Sequence, residues 1–319
     1  MENVKGSSIL QVLDAGHLNW VQGGVFTDLR KSGGRIFNDE AVYLIPPNST
    51  SNFLRWLRGC LQIAKRKRAL FSSITPLENY AKFPKLNPGQ RIGLWFTHKD
   101  GEFNESEIRA LRKSHVIFLH SNREAKKIEK VCSSKKIVML AAIDPLRFSE
   151  SAKREKRIVW AGTASERKNP ELLLEVAEAM RGEKFLVLGK GWLNSGYAKK
   201  LFELGNIEYR EIDRPLVAKD FDGCDVFIMT SRVEGGPMPL MESLAAGLVP
   251  VSTDTGFVRE IYRQAQIPED LIVPAKTDAF IRGILTAREL RDAGLEPNRT
   301  AILSLNFSRL VAILDENLK

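Results

Sequence analysis

The chain predicts two doubly wound α/β domains joined near its midpoint, and three observations carry that prediction. Short apolar runs of strand length alternate with amphipathic stretches of helical period from one end to the other. The 319 residues are long for one domain and comfortable for two. A polar, charged segment, SESAKREK at Ser149–Lys156, interrupts the alternation as a linker would, so the domains are expected at residues 1–150 and 151–319.

Composition excludes several classes. With 43% apolar and 27% charged residues this is ordinary globular material. No apolar run reaches the roughly 18 residues of a membrane span. The opening MENVKGSSILQVLDAG lacks the basic-then-apolar form of a secretion signal. Cys60, Cys132 and Cys224 are scattered, with no CxxC or Cys/His cluster, and read as reduced thiols of a cytoplasmic protein. The +9 charge is uneven: residues 1–150 hold 24 Lys+Arg against 14 Asp+Glu, a balance of +10, and the remainder comes to −1. An anionic partner for the first half is expected, whether a membrane surface, a nucleic acid or an acidic glycan.

In chain order, Ser8–Leu13 is a strand, followed by a loop at Asp14–Gly24 that carries His17 and the pair Gly23-Gly24. Ala41–Pro46 is a second strand. Asn52–Phe71 reads as one basic amphipathic helix, with Phe53, Trp56, Leu57, Cys60, Leu61, Ala64 and Phe71 on one face. Such a helix either covers a sheet or lies on anionic lipid. Ile92–Thr97 is a strand ending in His98, and His115 and His120 flank and end the strand Val116–Leu119. Glu105–Lys113 and Arg123–Cys132 are helices, and Lys136–Leu140 is a strand.

The second half opens with the strand Arg157–Ala161 and Gly162. After a loop, Asn169 and Pro170 form a helix start, a capping side chain followed by proline in the first turn. Lys168 stands just before it, placed to add charge to an anion at the helix N-terminus. Phe185–Leu188 with Gly189 and Ile207–Ile212 follow as strands, and Thr255–Arg263 and Ala279–Ala293 as helices.

The organising stretch is Val226–Ser252: strand, glycine-rich loop, helix, strand. Gly235-Gly236 end the strand, Pro237 suits the first helical turn, and Gly247 suits the position past the helix end. Two acids sit inside it, Glu234 in the loop and Glu242 in the helix, with seven residues between them. Ligands of open parallel sheets lie beyond the carboxyl ends of the strands. Two carboxylates flanking an anion-binding helix start suit a ligand with a sugar, a diphosphate and a ribose.

The stretch EGGPMPLMESLAAGLVPVSTDTGFVREI resembles the E-x7-E region of retaining family-4 glycosyltransferases, whose fold is GT-B: two Rossmann-like domains facing a central cleft. Glu234, Gly235, Glu242, Ala246, Gly247, Pro250 and Val251 carry the match, with Gly256 and Glu260 in its tail. Ala141–Phe148 (AAIDPLRF) resembles a segment that ends the first domain of that family, with Ala-Ala in place of Asn-Gly. The resemblance implies a glycosyltransferase that moves a sugar from a nucleotide-diphosphate sugar, UDP- or GDP-linked, to an acceptor hydroxyl with retention of configuration. It implies Glu234, Lys168 and His98 as the catalytic group. On the donor side it implies Arg167, Gly235, Gly236, Pro237, Met238, Glu242, Gly162, Gly189, Arg210 and Ile212, and on the acceptor side His17, Gly23 and Gly24. Thr163 stands where the family carries arginine, and Arg167 is the candidate for the missing charge. Phe307–Leu318 resembles the family's last helix, which returns to the first domain. Asp220-Phe221-Asp222 spells the D-x-D metal motif of another glycosyltransferase fold, but it precedes a strand and reads as a solvated helix end, so no metal and no cofactor are expected. The basic first domain fits a glycan or glycolipid acceptor of the cell envelope and peripheral attachment to the inner membrane face. A DNA-modifying transferase and a non-catalytic nucleotide-sugar-binding protein are the alternatives.

Overall fold

The computed structural model describes residues 8–14, 21–84, 87–99, 101–152 and 155–319, the side chains of 21–24 excepted. The chain divides into two compact units, Met1–Ala142 with Phe307–Lys319, and Ile143–Asn306.

The first unit is built on a six-stranded sheet. In chain order its elements are β1 (Ile9–Asp14), α1 (Val21–Gly33), β2 (Val42–Leu44), α2 (Thr50–Ala64), β3 (Arg68–Phe71), α3 (Ile74–Ala81), β4 (Arg91–Phe96), α4 (Glu105–Lys113), β5 (Val116–Leu119), α5 (Asn122–Glu129) and β6 (Lys135–Val138). The strand order is β2-β1-β3-β4-β5-β6 and every pairing is parallel. Parallel strands are covered on both faces, which is why they read as unbroken apolar runs. Alternate residues feed two separate cores. Leu10, Val12, Leu94, Phe96, Ile117 and Leu119 pack with Trp56, Cys60, Ile63 and Leu111 on one face. Ile9, Leu13, Trp95, Val116 and Phe118 pack with Phe26, Leu29, Leu310 and Leu314 on the other.

The second unit holds β7 (Ile158–Ala161), α6 (Pro170–Ala179), β8 (Phe185–Gly189), α7 (Ala198–Glu203), β9 (Ile207–Glu211), β10 (Val226–Met229), α8 (Met238–Ala246), β11 (Val249–Ser252), α9 (Val258–Ala265), α10 (Thr277–Asp292) and α11 (Arg299–Leu303). Its strand order is β11-β10-β7-β8-β9, all parallel. The final helix, α12 (Phe307–Asn317), packs on the core of the first unit through Phe307, Leu310, Val311 and Leu314, and Asp315 pairs with Arg68 at 2.6 Å.

Several sequence expectations need correction. Asn52–Phe71 is not one helix. It ends at Ala64, where the run Lys65-Arg66-Lys67 turns the chain, and Arg68–Phe71 becomes β3, an interior strand with Ala69, Leu70 and Phe71 fully buried. Four residues are too short to show a period, so a helical face absorbed them. Gly23-Gly24 lie within α1 and not in the loop after β1. His17 falls outside the described residues. Beside these corrections, Ile143 and Phe148, both buried, fall with the second compact unit, whose first residue is Ile143. The Asp220-Phe221-Asp222 stretch is not solvated. Asp220 is buried, clasped by both Arg214 amino groups at 2.6 and 2.8 Å, and accepts the Val217 N–H at 2.8 Å. Among the described residues no helix is long and apolar enough to cross a membrane.

Candidate functional site

The strand order of the second unit creates the site. The chain runs β7, β8, β9 in one direction and then returns to place β10 on the other side of β7. The carboxyl ends of β7 and β10 are thus neighbours at the point where the order reverses, the position where doubly wound sheets bind ligands. The loop after β7 carries Gly162–Lys168 and the loop after β10 carries Ser231–Pro237.

Polar side chains stitch the two loops together. Trp160, at the end of β7, donates its indole N–H to Thr230 Oγ1 at 3.0 Å. The Thr230 hydroxyl in turn reaches the Lys168 and Asn169 carbonyls at 2.9 and 3.1 Å, and the Arg232 N–H donates to the Arg167 carbonyl at 2.8 Å. Asn169 is left-handed, φ 54°, a conformation asparagine tolerates better than most residues. Its side chain does not cap α6 as the sequence suggests. Its Oδ1 accepts from Arg232 at 3.1 Å instead.

Glu234 is enclosed in this frame and not reaching freely from a loop. Its carboxylate receives Lys168 Nζ at 2.5 Å and the Ser231 hydroxyl at 2.8 Å on Oε1, and Arg167 Nη1 at 2.6 Å on Oε2. Its own N–H donates to Thr255 Oγ1 at 2.8 Å. The Glu234 side chain is 6% exposed, Lys168 10% and Arg167 41%. Lys168 is therefore a buried partner and not a solvated helix cap. Burial works to raise the Glu234 carboxyl, but the Lys168 and Arg167 charges, with hydrogen bonds from Lys168 and Ser231, outweigh it and hold the group below its usual range. Thr163 is exposed, its hydroxyl turned to Ser165, and Arg167 is the second cation on Glu234.

Glu242 behaves in the opposite way. It lies on α8, buried on all sides from Leu240 to Ala246, and accepts from Arg147 Nη1 at 3.1 Å. Arg147 stands on a short 3₁₀ helix, Pro145–Phe148, anchored by buried Phe148, and also donates to the Leu216 carbonyl at 3.0 Å. Burial pushes the Glu242 carboxyl up to about 7 against the pull of Arg147. Sequence reasoning picked out the Asp144–Phe148 segment but missed Arg147, since nothing local marks an arginine whose partner is 95 residues away.

Of the other expected residues, Gly235 and Pro237 are buried and Gly236 and Met238 half-buried at the start of α8, which no side chain caps. Gly162 and Gly189 meet directly. At Gly189, φ is 139° and a Cβ would stand 2.0 Å from the Gly162 carbonyl oxygen. The Gly189 carbonyl accepts from the Ile212 N–H at 3.2 Å and the Tyr209 hydroxyl at 3.0 Å. Gly189→Ala is thus expected to destabilise the protein by about 3 kcal/mol or more, as backbone strain and overpacking add. A melting temperature unchanged by the substitution would contradict this. Arg210 is exposed on the edge strand β9 and paired with Glu208 at 2.6 Å, away from the gathered carboxylates in sequence and sheet position. His98 lies two residues beyond β4 in the first unit, half-buried.

Residues 142–299 match the family model described as Glycosyl transferases group 1. No curated protein sequence matches the chain. Among solved structures, HepE of Anabaena, in complex with UDP and glucose, is similar at TM-score 0.70 and 11% identity over 97% of each chain. Sucrose-phosphate synthase of Thermosynechococcus elongatus is similar at TM-score 0.73 and 13% identity, covering 97% of this chain and 98% of that one. WaaB, a lipopolysaccharide outer core galactosyltransferase in apo form, is similar at TM-score 0.63 and 14% identity over 97% of each. These likenesses show the fold, two parallel-sheet α/β domains of the GT-B type.

Proposed function

We propose that this chain is a glycosyltransferase that moves a sugar from a nucleotide-diphosphate sugar to an acceptor hydroxyl with retention of configuration. The acceptor is a glycan or glycolipid of the cell envelope, reached from the cytoplasmic side. The observation that carries the reading is the Lys168–Glu234–Arg167 cluster at the β7/β10 switch point, in front of the uncapped start of α8.

Roles follow from charge. As the bond between the sugar and the diphosphate breaks, negative charge grows on the leaving phosphate. Lys168, Arg167 and the backbone N–H groups at Gly235–Met238 stabilise it where it develops. Ionised Glu234 accepts hydrogen bonds from sugar hydroxyls, and Glu242 from the ribose. The acceptor oxygen bonds to the anomeric carbon on the face the diphosphate leaves, and the departing phosphate oxygen takes the acceptor proton. The family resemblance assigns His98 to the sugar and acceptor side. The resemblance at Glu234–Glu260, the match over residues 142–299 and the fold all support this assignment. Exposed Thr163, where the family carries arginine, favours a second reading, a nucleotide-sugar-binding protein without transfer.

A thermal-shift series with UDP-, GDP-, ADP-, CMP- and dTDP-sugars tests the donor site. One nucleotide class is expected to stabilise the protein, by about 2.7 kcal/mol at a hundredfold excess over its dissociation constant. No stabilisation by any of them would overturn both readings. Stabilisation with no turnover on cell-envelope acceptors would select the second.

A further inference from the structure

We infer that α2 is a membrane-docking surface that lies flat on an anionic bilayer, with Leu54, Leu57, Leu61 and Phe53 entering the acyl boundary and Arg55, Arg58 and Lys65 held at the headgroups. The inference is independent of the donor site, which belongs to the other unit.

The helix has three faces. At about 100° per residue, Trp56, Cys60, Ile63 and Ala64 form one arc, and these pack on the sheet. The adjoining arc holds Phe53, Leu57, Leu61 and Leu54. A helix that merely covers a sheet leaves this flank polar. Here Phe53 is 46% exposed, Leu54 64% and Leu61 40%, with Leu57 only partly buried. The third arc carries Arg58, Lys65 and Arg55, all exposed. The sequence of faces is therefore core, open apolar strip, basic strip, the pattern of an interfacial helix.

Charge decides among the occupants. Residues 41–77 contain six basic residues and no acidic one. A second copy seated on this face would bring the exposed Arg55, Arg58 and Lys65 of one chain against those of the other, with no acidic residue on the helix to offset their repulsion. A nucleic acid would meet the basic strip but would have no use for the leucines beside it. An anionic bilayer satisfies both strips at once: long basic side chains reach the headgroups while their apolar neighbours leave water. The helix, about 22 Å long at 1.5 Å per residue, needs no span to anchor. The face would hold the chain at a surface that displays lipid-linked acceptors.

Co-sedimentation of the whole protein, without donor, with vesicles of phosphatidylcholine alone or mixed with phosphatidylglycerol tests this. Partitioning is expected only onto the mixed vesicles. Arg55→Gln with Arg58→Gln should lower it about 30-fold, at about fivefold per charge. Leu54→Ser with Leu61→Ser should lower it at least about tenfold, with only a small fall in melting temperature because both leucines are largely outside the core. No partitioning onto the mixed vesicles, or wild-type partitioning by the leucine variant, would overturn the inference. So would a dimer in solution that the leucine variant disperses, or duplex DNA binding that outcompetes the vesicles and survives in that variant.

Discussion

Lys168→Ala should lower the rate of nucleotide release by about 10²–10³-fold, the usual loss when one preorganised donor is removed from a developing oxyanion. Glu234→Gln should cost a comparable factor for a different reason, since an amide accepts less strongly from sugar hydroxyls than the carboxylate it replaces. The fall should appear in kcat and in kcat/KM together if the interaction is made chiefly in the transition state. Stability separates the two variants. Lys168→Ala leaves Glu234 with Arg167 at 2.6 Å and Ser231 at 2.8 Å, so the carboxylate keeps partners. Glu234→Gln leaves an ammonium that is 10% exposed facing a neutral amide, and breaking a buried pair from one side typically costs about 3–5 kcal/mol. The double variant should therefore unfold less readily in urea than the two single losses predict when added. Turnover close to wild type in both single variants would sink the assignment of this cluster to the donor phosphates and sugar.

The paired state also shows how the cluster is preorganised. Two cations converge on one carboxylate: Arg167 Nη1 also donates to the Val233 carbonyl at 2.9 Å, and the Lys168 main chain is held by the Thr230 hydroxyl at its carbonyl. The two cations and the carboxylate proposed to meet the donor are held in place by each other, inside loops tied by Trp160 and Thr230. Geometry of this kind is set before a donor arrives, which is what electrostatic catalysis requires.

The second domain was legible in the sequence to a degree the first was not, and the difference is physical. Val226–Ser252 concentrates its signals: two glycines end a strand, a proline starts a helix, and Gly247, at φ 92°, closes it. Each is a local backbone constraint that any reader of the chain can place. The Asn52–Phe71 error has the reverse origin. Lys65-Arg66-Lys67 turns the chain without glycine or proline, so the end of α2 is not marked by the usual punctuation. At the site, Lys168 and Glu234 were found because each sits beside a recognisable turn. Their contact was not, since 66 residues separate them and only the β7/β10 adjacency joins them. Arg147 was missed for the same reason. Its role depends on the depth of Glu242 in α8, and helix period alone does not tell a solvated acid from a nearly buried one.

That enclosure makes Arg147→Met the second large effect, and one whose sign depends on pH. Burial raises the Glu242 carboxyl to about 7 even with the guanidinium in place, whereas an unfolded glutamate titrates near about 4.3. The folded state thus holds the proton longer than the unfolded one. The stability Glu242 contributes is fully present below about 4.3 and is lost as pH rises through about 7. Removing Arg147 takes away the charge that lowers the group, so its folded value moves higher still. Below pH 7 the two proteins lose stability in step. Above it the wild type has finished and the variant has not, so the gap widens by about 1.4 kcal/mol per pH unit until the variant's own titration ends. Donor affinity should move the other way. At pH 7 the variant's Glu242 is protonated and offers the ribose one weak acceptor and a donor in place of an ionised carboxylate. Binding is weakened there and recovers at alkaline pH as the proton leaves, while the wild type weakens only as pH falls below about 7. Calorimetric titration of the stabilising nucleotide across this range reads both curves. A variant whose donor affinity follows the wild-type profile would show that Arg147 does not set the charge of Glu242, and that Glu242 does not meet the ribose as a carboxylate.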